Sequence, residues 1–370
     1  MMFTRRLRED RLVGLRRTLL LALALMPTVP VAHAVVVKDN LYGVKAISAT
    51  EAWAVGNFGS IYHTADAGQV WEARESGTKV PLFAVDFATR PDGKAVDGWA
   101  VGKSSTILHT ADGGATWKAQ RSAIPPEKHL FNVKVIDART VWAVGDWGAI
   151  EVTHDGGATW EDRSLGTVTA KVEDSGARVS NTLTDDVILY ALSFPDPRHG
   201  FIAGEFGTLL ATDDGGETWQ KRDVGTEKTL FGVRFTTPDK GWVVGIDGLI
   251  LHTGDGGRSW KVQHGAARAE SIEELAFLDT LKNPGLYDID VAGKYGVIVG
   301  DTGNVFTTTD GGDTWSVREL PEAQRLVWMR SVSLVPGTHG FAVGAGGFTA
   351  VVERDRLVLP ADRAPSAPGP

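Results

Sequence analysis

From residue 41 onward the chain is written in short apolar runs cut by glycine. The clearest stretch reads Leu230-Phe231-Gly232-Val233-Arg234-Phe235, then Gly241-Trp242-Val243-Val244-Gly245, then Gly248-Leu249-Ile250-Leu251-His252-Thr253, and ends Asp255-Gly256-Gly257-Arg258-Ser259-Trp260. Short runs rich in β-branched and aromatic residues and bounded by turn residues predict strands, not helices. Three such runs, with a fourth opened by Trp260, make a unit of four antiparallel strands.

The unit repeats. The glycine closing its second strand recurs at Gly56, Gly102, Gly145, Gly204, Gly245, Gly300 and Gly344, at intervals of 46, 43, 59, 41, 55 and 44 residues. A second glycine follows three residues later at Gly59, Gly148, Gly207, Gly248, Gly303 and Gly347; Ser105 breaks the set. Four strands every 40 to 50 residues or so mark a propeller blade. Seven units predict an all-β chain folded as one seven-bladed β-propeller over residues 35–359. Each first strand opens on an aliphatic residue followed by an aromatic one, at Tyr42, Phe83, Phe131, Tyr190, Phe231 and Tyr287. In the seventh unit that place belongs to Arg330. Phe348–Val352 and Leu357–Leu359 are expected to complete blade seven, in preference to Val35-Val36-Val37 pairing at the seam.

The ends differ from this pattern. Arg5, Arg6, Arg8, Arg11, Arg16 and Arg17 precede an apolar run from Thr18 to Met26, and Ala32-His33-Ala34 has the small-x-small form of a cleavage site. Residues 1–34 therefore read as a signal peptide of the Sec type, cleaved near Ala34, which places the mature chain in the periplasm or outside the cell. Removing that leader, with its six Arg against Glu9 and Asp10, moves the formal charge from -8 to -12. So acidic a chain is a poor partner for nucleic acid. No apolar run long enough to cross a membrane follows the leader. The Pro-rich residues 360–370 read as a disordered tail. The chain has no Cys, which excludes disulfides, thiol nucleophiles and Cys-ligated metals.

Between the third and fourth strands sits Thr-x-Asp-Gly-Gly-x-Thr-Trp or a near variant, with Asp66, Asp112, Asp155, Asp214, Asp255 and Asp310 as its carboxylates. A short carboxylate accepts N–H bonds across such a turn and the glycines permit positive φ. Six copies argue for turn fasteners, because an active site is singular. These turns resemble the Asp-box, or bacterial neuraminidase (BNR), repeat. The longer pattern from Trp142-Ala143-Val144-Gly145 through Thr159-Trp160 is similar to the photosystem II stability/assembly factor family, over about Leu41 to Leu359. That resemblance implies an exported, non-enzymatic scaffold, free of cofactors, that binds a protein client and assists a membrane or envelope complex. It also implies thylakoid-lumen residence only for photosynthetic sources, and an arginine-rich patch for partner binding in that branch.

Sialidases share Asp-box propellers, so a carbohydrate-active protein is the alternative. Tyr42, Tyr190 and Tyr287 occupy one repeated strand position and read as packing, and no Tyr–Glu pair stands apart from the repeats. His63, His109 and His252 also share one repeat position, and neither His-x-x-His nor His-Glu-x-x-His occurs, so no metal site is expected. Departures from the repeat are the better functional candidates. Phe58, Trp147 and Phe206 occupy matching turns on one face; Arg330, Arg234 and Lys134 lie on inner strands; Trp328 falls outside the Trp pattern. All seven are candidate partner-binding residues of a monomeric scaffold. Two long connections, 161–187 and 262–285, lie on that same face. The second carries the capping pattern Ser271-Ile272-Glu273-Glu274 and predicts a helix over 272–281, whereas the first reads as a mobile polar loop.

Overall fold

The computed structural model describes residues 33–89, 95–166, 186–264, 284–318, 320–337 and 339–359. Residues 1–32 of the expected leader, the helix over 272–281, most of both long connections and the tail lie outside those residues.

Seven antiparallel sheets are arranged as the blades of a propeller. The innermost strands are Leu41–Ala46, Leu82–Thr89, Leu130–Val135, Leu189–Ser193, Leu230–Phe235, Leu286–Ala292 and Met329–Leu334, each opening on the repeated aliphatic. The second strand of each blade is buried to its end, as in Ala52–Gly56, Val141–Gly145 and Gly241–Gly245. Both faces of such a strand are covered by neighbouring blades, so it reads as continuously apolar instead of alternating. The core is correspondingly divided. Seven hydrophobic clusters each combine residues of two adjacent blades, for example Trp53, Val55 and Ile61 with Leu82, Val85, Phe87 and Trp117.

Tryptophan bridges these gaps. Trp53, Trp99, Trp142 and Trp242 of the second strands are at most 2% exposed. Trp53, Trp142 and Trp242 lie beneath the Asp-box of the following blade, whereas Trp99 reaches the next box through Gln120. Trp53 meets Trp117 edge-on at 6.1 Å, and Trp142 meets Trp219 at 5.9 Å. A Cβ on the second box glycine would collide with that ring, 2.1 Å from Trp53 at Gly114 and 2.3 Å from Trp242 at Gly312. The histidines of the third strands stack on the same rings, His63 on Trp53 at 4.3 Å and His109 on Trp99 at 4.5 Å. Their repetition is therefore structural.

Within each box the threonine and aspartate close the turn. Thr110 Oγ1 donates to Asp112 at 2.7 Å and accepts from Gly114 N at 2.8 Å, while Asp112 accepts from Thr116 N and Thr116 Oγ1. The same bonds recur around Asp155, Asp214, Asp255 and Asp310. The hydrogen bonds to its hydroxyl and amide neighbours hold the Asp155 carboxyl down at about 2.

Thr349–Glu353 and Arg356–Val358 supply the third and fourth strands of blade seven, so every blade is a contiguous stretch of chain. The seam is closed by side chains: Trp71 on Phe341 at 6.2 Å, Ala46 N on Ser333 Oγ at 3.1 Å and Gly346 N on Asn40 Oδ1 at 2.8 Å. His33–Val35 adds a fifth, outermost strand to blade one, paired with Trp71–Ala73, and spans the expected cleavage position.

Two departures from the repeat are measurable in stability. Blade one carries Ala67 at φ 60, where other boxes place glycine at φ 70 to 78. Ala67→Gly is expected to stabilise the protein by about 0.5–1 kcal/mol, read as a higher denaturant midpoint at unchanged slope. Glu151 stands where Tyr62, Leu108, Leu210, Leu251 and Phe306 fill the same site in other blades, and it is fully buried. It accepts from Ser122 Oγ at 2.9 Å and Ala123 N at 2.8 Å, with no cation paired to it among the described residues, and burial pushes its carboxyl up to about 7. The folded state therefore favours the proton, and the associated stability is complete below about 4.5 and lost as pH rises through 7. Melting curves from pH 4.5 to 8 should show Glu151→Gln gaining on the wild type, by a shift on the order of 3 kcal/mol across the range.

Candidate functional site at the channel mouth

The inner strands surround an axial cavity of about 330 Å³. Each exposes one edge to it, and the N–H groups of that edge need acceptors. The preceding blade supplies them. Asp86 accepts from Val135 N at 2.9 Å, Ser193 from Phe235 N at 3.0 Å, Asp290 from Leu334 N at 2.8 Å and Ser333 from Ala46 N at 3.1 Å. Asp288 and Ser331 serve Val332 N and Val44 N one step nearer the mouth.

Blades one, three and five place cations at the level of these acceptors. Lys45 lies 2.7 Å and Lys134 3.4 Å from the Asp86 carboxylate, and Arg234 Nε lies 2.9 Å from Asp290. Burial alone would raise the Asp86 carboxyl, but Lys134, Lys45 and the Val135 N–H outweigh it and hold it at about 2. Asp288 lacks such cover; burial pushes it up to about 6 against the Val332 N–H and Ser331 hydroxyl. Lys134 and Arg234 thus line the channel, as the inner-strand reading expects, but each is committed to a carboxylate. The acceptors Asp86, Asp288 and Asp290 were not singled out from the sequence. Their signal is a short polar residue at the third or fifth place of an otherwise apolar strand.

One turn nearer the mouth, the repeated aromatics form a collar. Tyr42–Phe83, Phe83–Phe131, Phe131–Tyr190, Tyr190–Phe231 and Phe231–Tyr287 follow one another with ring centroids 5.1 to 5.8 Å apart. Arg330 completes the circle, its guanidinium carbon 5.0 Å from the centre of the Tyr287 ring. Trp328 stacks on Tyr42 at 5.9 Å. Tyrosine stands where the turn of its own blade offers an acceptor: Tyr42 donates to Asn57 Oδ1 at 2.9 Å and Tyr287 to Asp301 Oδ1 at 2.8 Å.

First strands begin where second strands end, so the collar and the second-to-third-strand turns share a face. Glycine closes the second strand because a Cβ at Gly145 would lie 1.8 Å from the His129 carbonyl oxygen, and at Gly56 2.2 Å from that of Asn40. Two residues on, every turn enters the left-handed region: Phe58, Ser104, Trp147, Phe206, Asp247, Thr302 and Gly346 have φ between 49 and 60. Ser105 adopts φ 51 in place of the usual glycine. Glycine, Asn and Asp suit that region, whereas bulky side chains are strained there. Nevertheless Phe58 is 69%, Trp147 60% and Phe206 63% exposed, on blades one, three and four. They do not fold back onto their blades.

The closed ring, its Asp-box turns and its central channel define a seven-bladed propeller. Residues 170–268 match the family model of the photosynthesis system II assembly factor YCF48. YCF48 from Cyanidioschyzon merolae superposes with a TM-score of 0.64 at 17% identity, over 87% of this chain and 98% of that one. A structure of YCF48 bound to D1 peptide gives 0.63 at 18% identity, over 88% and 96%. A GH74 xyloglucanase from Xanthomonas campestris gives 0.58 at 14% identity, over 90% of this chain but 54% of that one. None of the curated proteins matches the sequence. Over residues 170–268 the chain is thus similar to the photosystem II assembly factor family, and its whole fold is that of a seven-bladed propeller.

The channel ion pairs supply a test of this architecture. Asp86→Asn keeps an acceptor for Val135 N but strands Lys45 and Lys134 beside each other. A loss of about 2–4 kcal/mol is expected by chemical denaturation, with Lys134→Met recovering part of it in the double variant.

Proposed function

We propose that this protein is a non-enzymatic scaffold, exported across the cytoplasmic membrane, that grips a protein client of an envelope complex with the face around the channel mouth. The observation that carries this reading is the placement of Phe58, Trp147 and Phe206 at exposed turn tips whose backbone disfavours them. Strain of about 1 kcal/mol per residue persists where function selects it, and exposed aromatics are the side chains that anchor interfaces. Trp328, half-buried against Tyr42, extends the apolar surface toward the channel. The YCF48 structure bound to D1 peptide gives this reading a precedent in a similar propeller. The channel carboxylates Asp86, Asp288 and Asp290 are occupied by backbone N–H groups of the next blade, which speaks against their use as a glycosidase pair.

Trp147→Asn and Phe206→Asn separate binding from folding. Asparagine tolerates the left-handed region, so each variant should match or exceed the wild type in stability, by up to about 1 kcal/mol. Crosslinking in envelope extract, read by quantitative mass spectrometry, should show one specific protein lost from both variants and retained by Arg198→Ala, whose side chain caps an Asp-box turn on the opposite face. Equal capture by all four proteins, or glycan hydrolysis by the wild type, overturns the proposal.

A further inference from the structure

The channel wall carries four cations, and three are accounted for by Asp86 and Asp290. Arg330 is the exception. Among the described residues its guanidinium makes no hydrogen bond and no ion pair, and it rests on the face of Tyr287. Asp288, next along the strand from Tyr287, has its oxygens taken by Val332 N at 2.9 Å, Ser331 Oγ at 3.0 Å and Ile289 N at 2.9 Å. Asp288 and Asp301 act on Arg330 only through space, without a bond to its positive charge.

The geometry narrows what would satisfy that charge. The guanidinium carbon sits over the Tyr287 ring, and its N–H groups, which diverge as a fork, have no hydrogen-bond acceptor among the described residues. A carboxylate takes two of those donors at once, which a spherical or tetrahedral anion matches less well. The cavity that Arg330 shares is lined by the rings of Tyr42, Phe83, Phe131, Tyr190, Phe231 and Tyr287, so the body behind the carboxylate meets aromatic surface. A cavity of about 330 Å³ lies at the small end of ligand sites and admits a single ring.

We propose that Arg330 and the aromatic collar form a binding site for a carboxylate carried on a small, flat, apolar body. The guanidinium holds both carboxylate oxygens, and the collar rings pack on the body. A free aromatic acid and a carboxylate borne by a peptide present the same chemistry to this site. The inference is independent of the client-docking face, because none of the exposed turn tips takes part in it.

Calorimetric and NMR titrations of the full chain with benzoate, benzamide and inorganic phosphate test it. Benzoate is expected to bind, with benzamide and phosphate each at least tenfold weaker. Arg330→Phe gives the seventh blade an aromatic residue at the place where the others carry one, so it is expected to fold with an unchanged melting temperature while losing benzoate at least tenfold. Arg330→Lys, which keeps the charge without the fork, is expected to fall between the two, and Arg198→Ala on the opposite face to bind benzoate as the wild type does. Absence of benzoate binding, equal binding of benzamide or phosphate, or undiminished binding by folded Arg330→Phe overturns the proposal. Parallel titration with N-acetyl-phenylalanine and its amide assigns the source. Tighter binding of this blocked acid than of benzoate supports a peptide-borne carboxylate, and the reverse order supports a free acid.

Discussion

The ring depends on a contact that no single blade can make alone. At three junctions a tryptophan from the second strand of one blade, Trp53, Trp142 or Trp242, lies under the Asp-box of the next, against a glycine with no room for a side chain. Burying an indole of this size removes a large apolar area from water, worth about 2–3 kcal/mol per ring. Because the buried surface belongs to pairs of blades, the stability of each sheet is a property of its neighbours. The hydrogen bonds of the Asp-box serve the same end. They fix the turn so that the glycine and the following tryptophan meet the incoming ring in one geometry.

Closing the ring creates a second requirement at its axis. Seven strand edges converge there, and their N–H groups are removed from bulk water. Short acceptors on the preceding blade meet that requirement, and the cations of alternate blades then neutralise the acceptors. The channel is therefore polar because of the backbone, with Lys, Asp, Ser and Arg arranged as a belt beneath an aromatic collar. Arg330 interrupts the collar without joining the belt, which is why it stands out chemically as well as in the repeat.

Much of this was legible in the sequence because a repeated unit tests itself. Seven copies of one glycine spacing fixed the blade count, and the aliphatic that opens each first strand proved to be its first residue. The identical placement of His63, His109 and His252 marked them as structural, and each stacks on a second-strand tryptophan. What stayed hidden was pairwise. Glu151 can be seen to depart from Tyr62 and Leu108, but not that Ser122 and Ala123 of the neighbouring blade receive it. The exposure of Phe58, Trp147 and Phe206 was equally hidden, because a turn aromatic can fold inward or outward with the same spacing. Their positive φ follows from the turn geometry, not from the residues themselves.

The contiguity of all seven blades carries a consequence for how this protein can change. Since no blade borrows a strand across the seam, the junction between blades seven and one is made of the same kinds of contact as every other junction. The described strands begin and finish at that junction. Joining those ends and opening the chain between two other blades would leave every sheet intact, with only the extra edge strand His33–Val35 displaced. The order of the blades is fixed by the circle, whereas the starting point along it is free to drift.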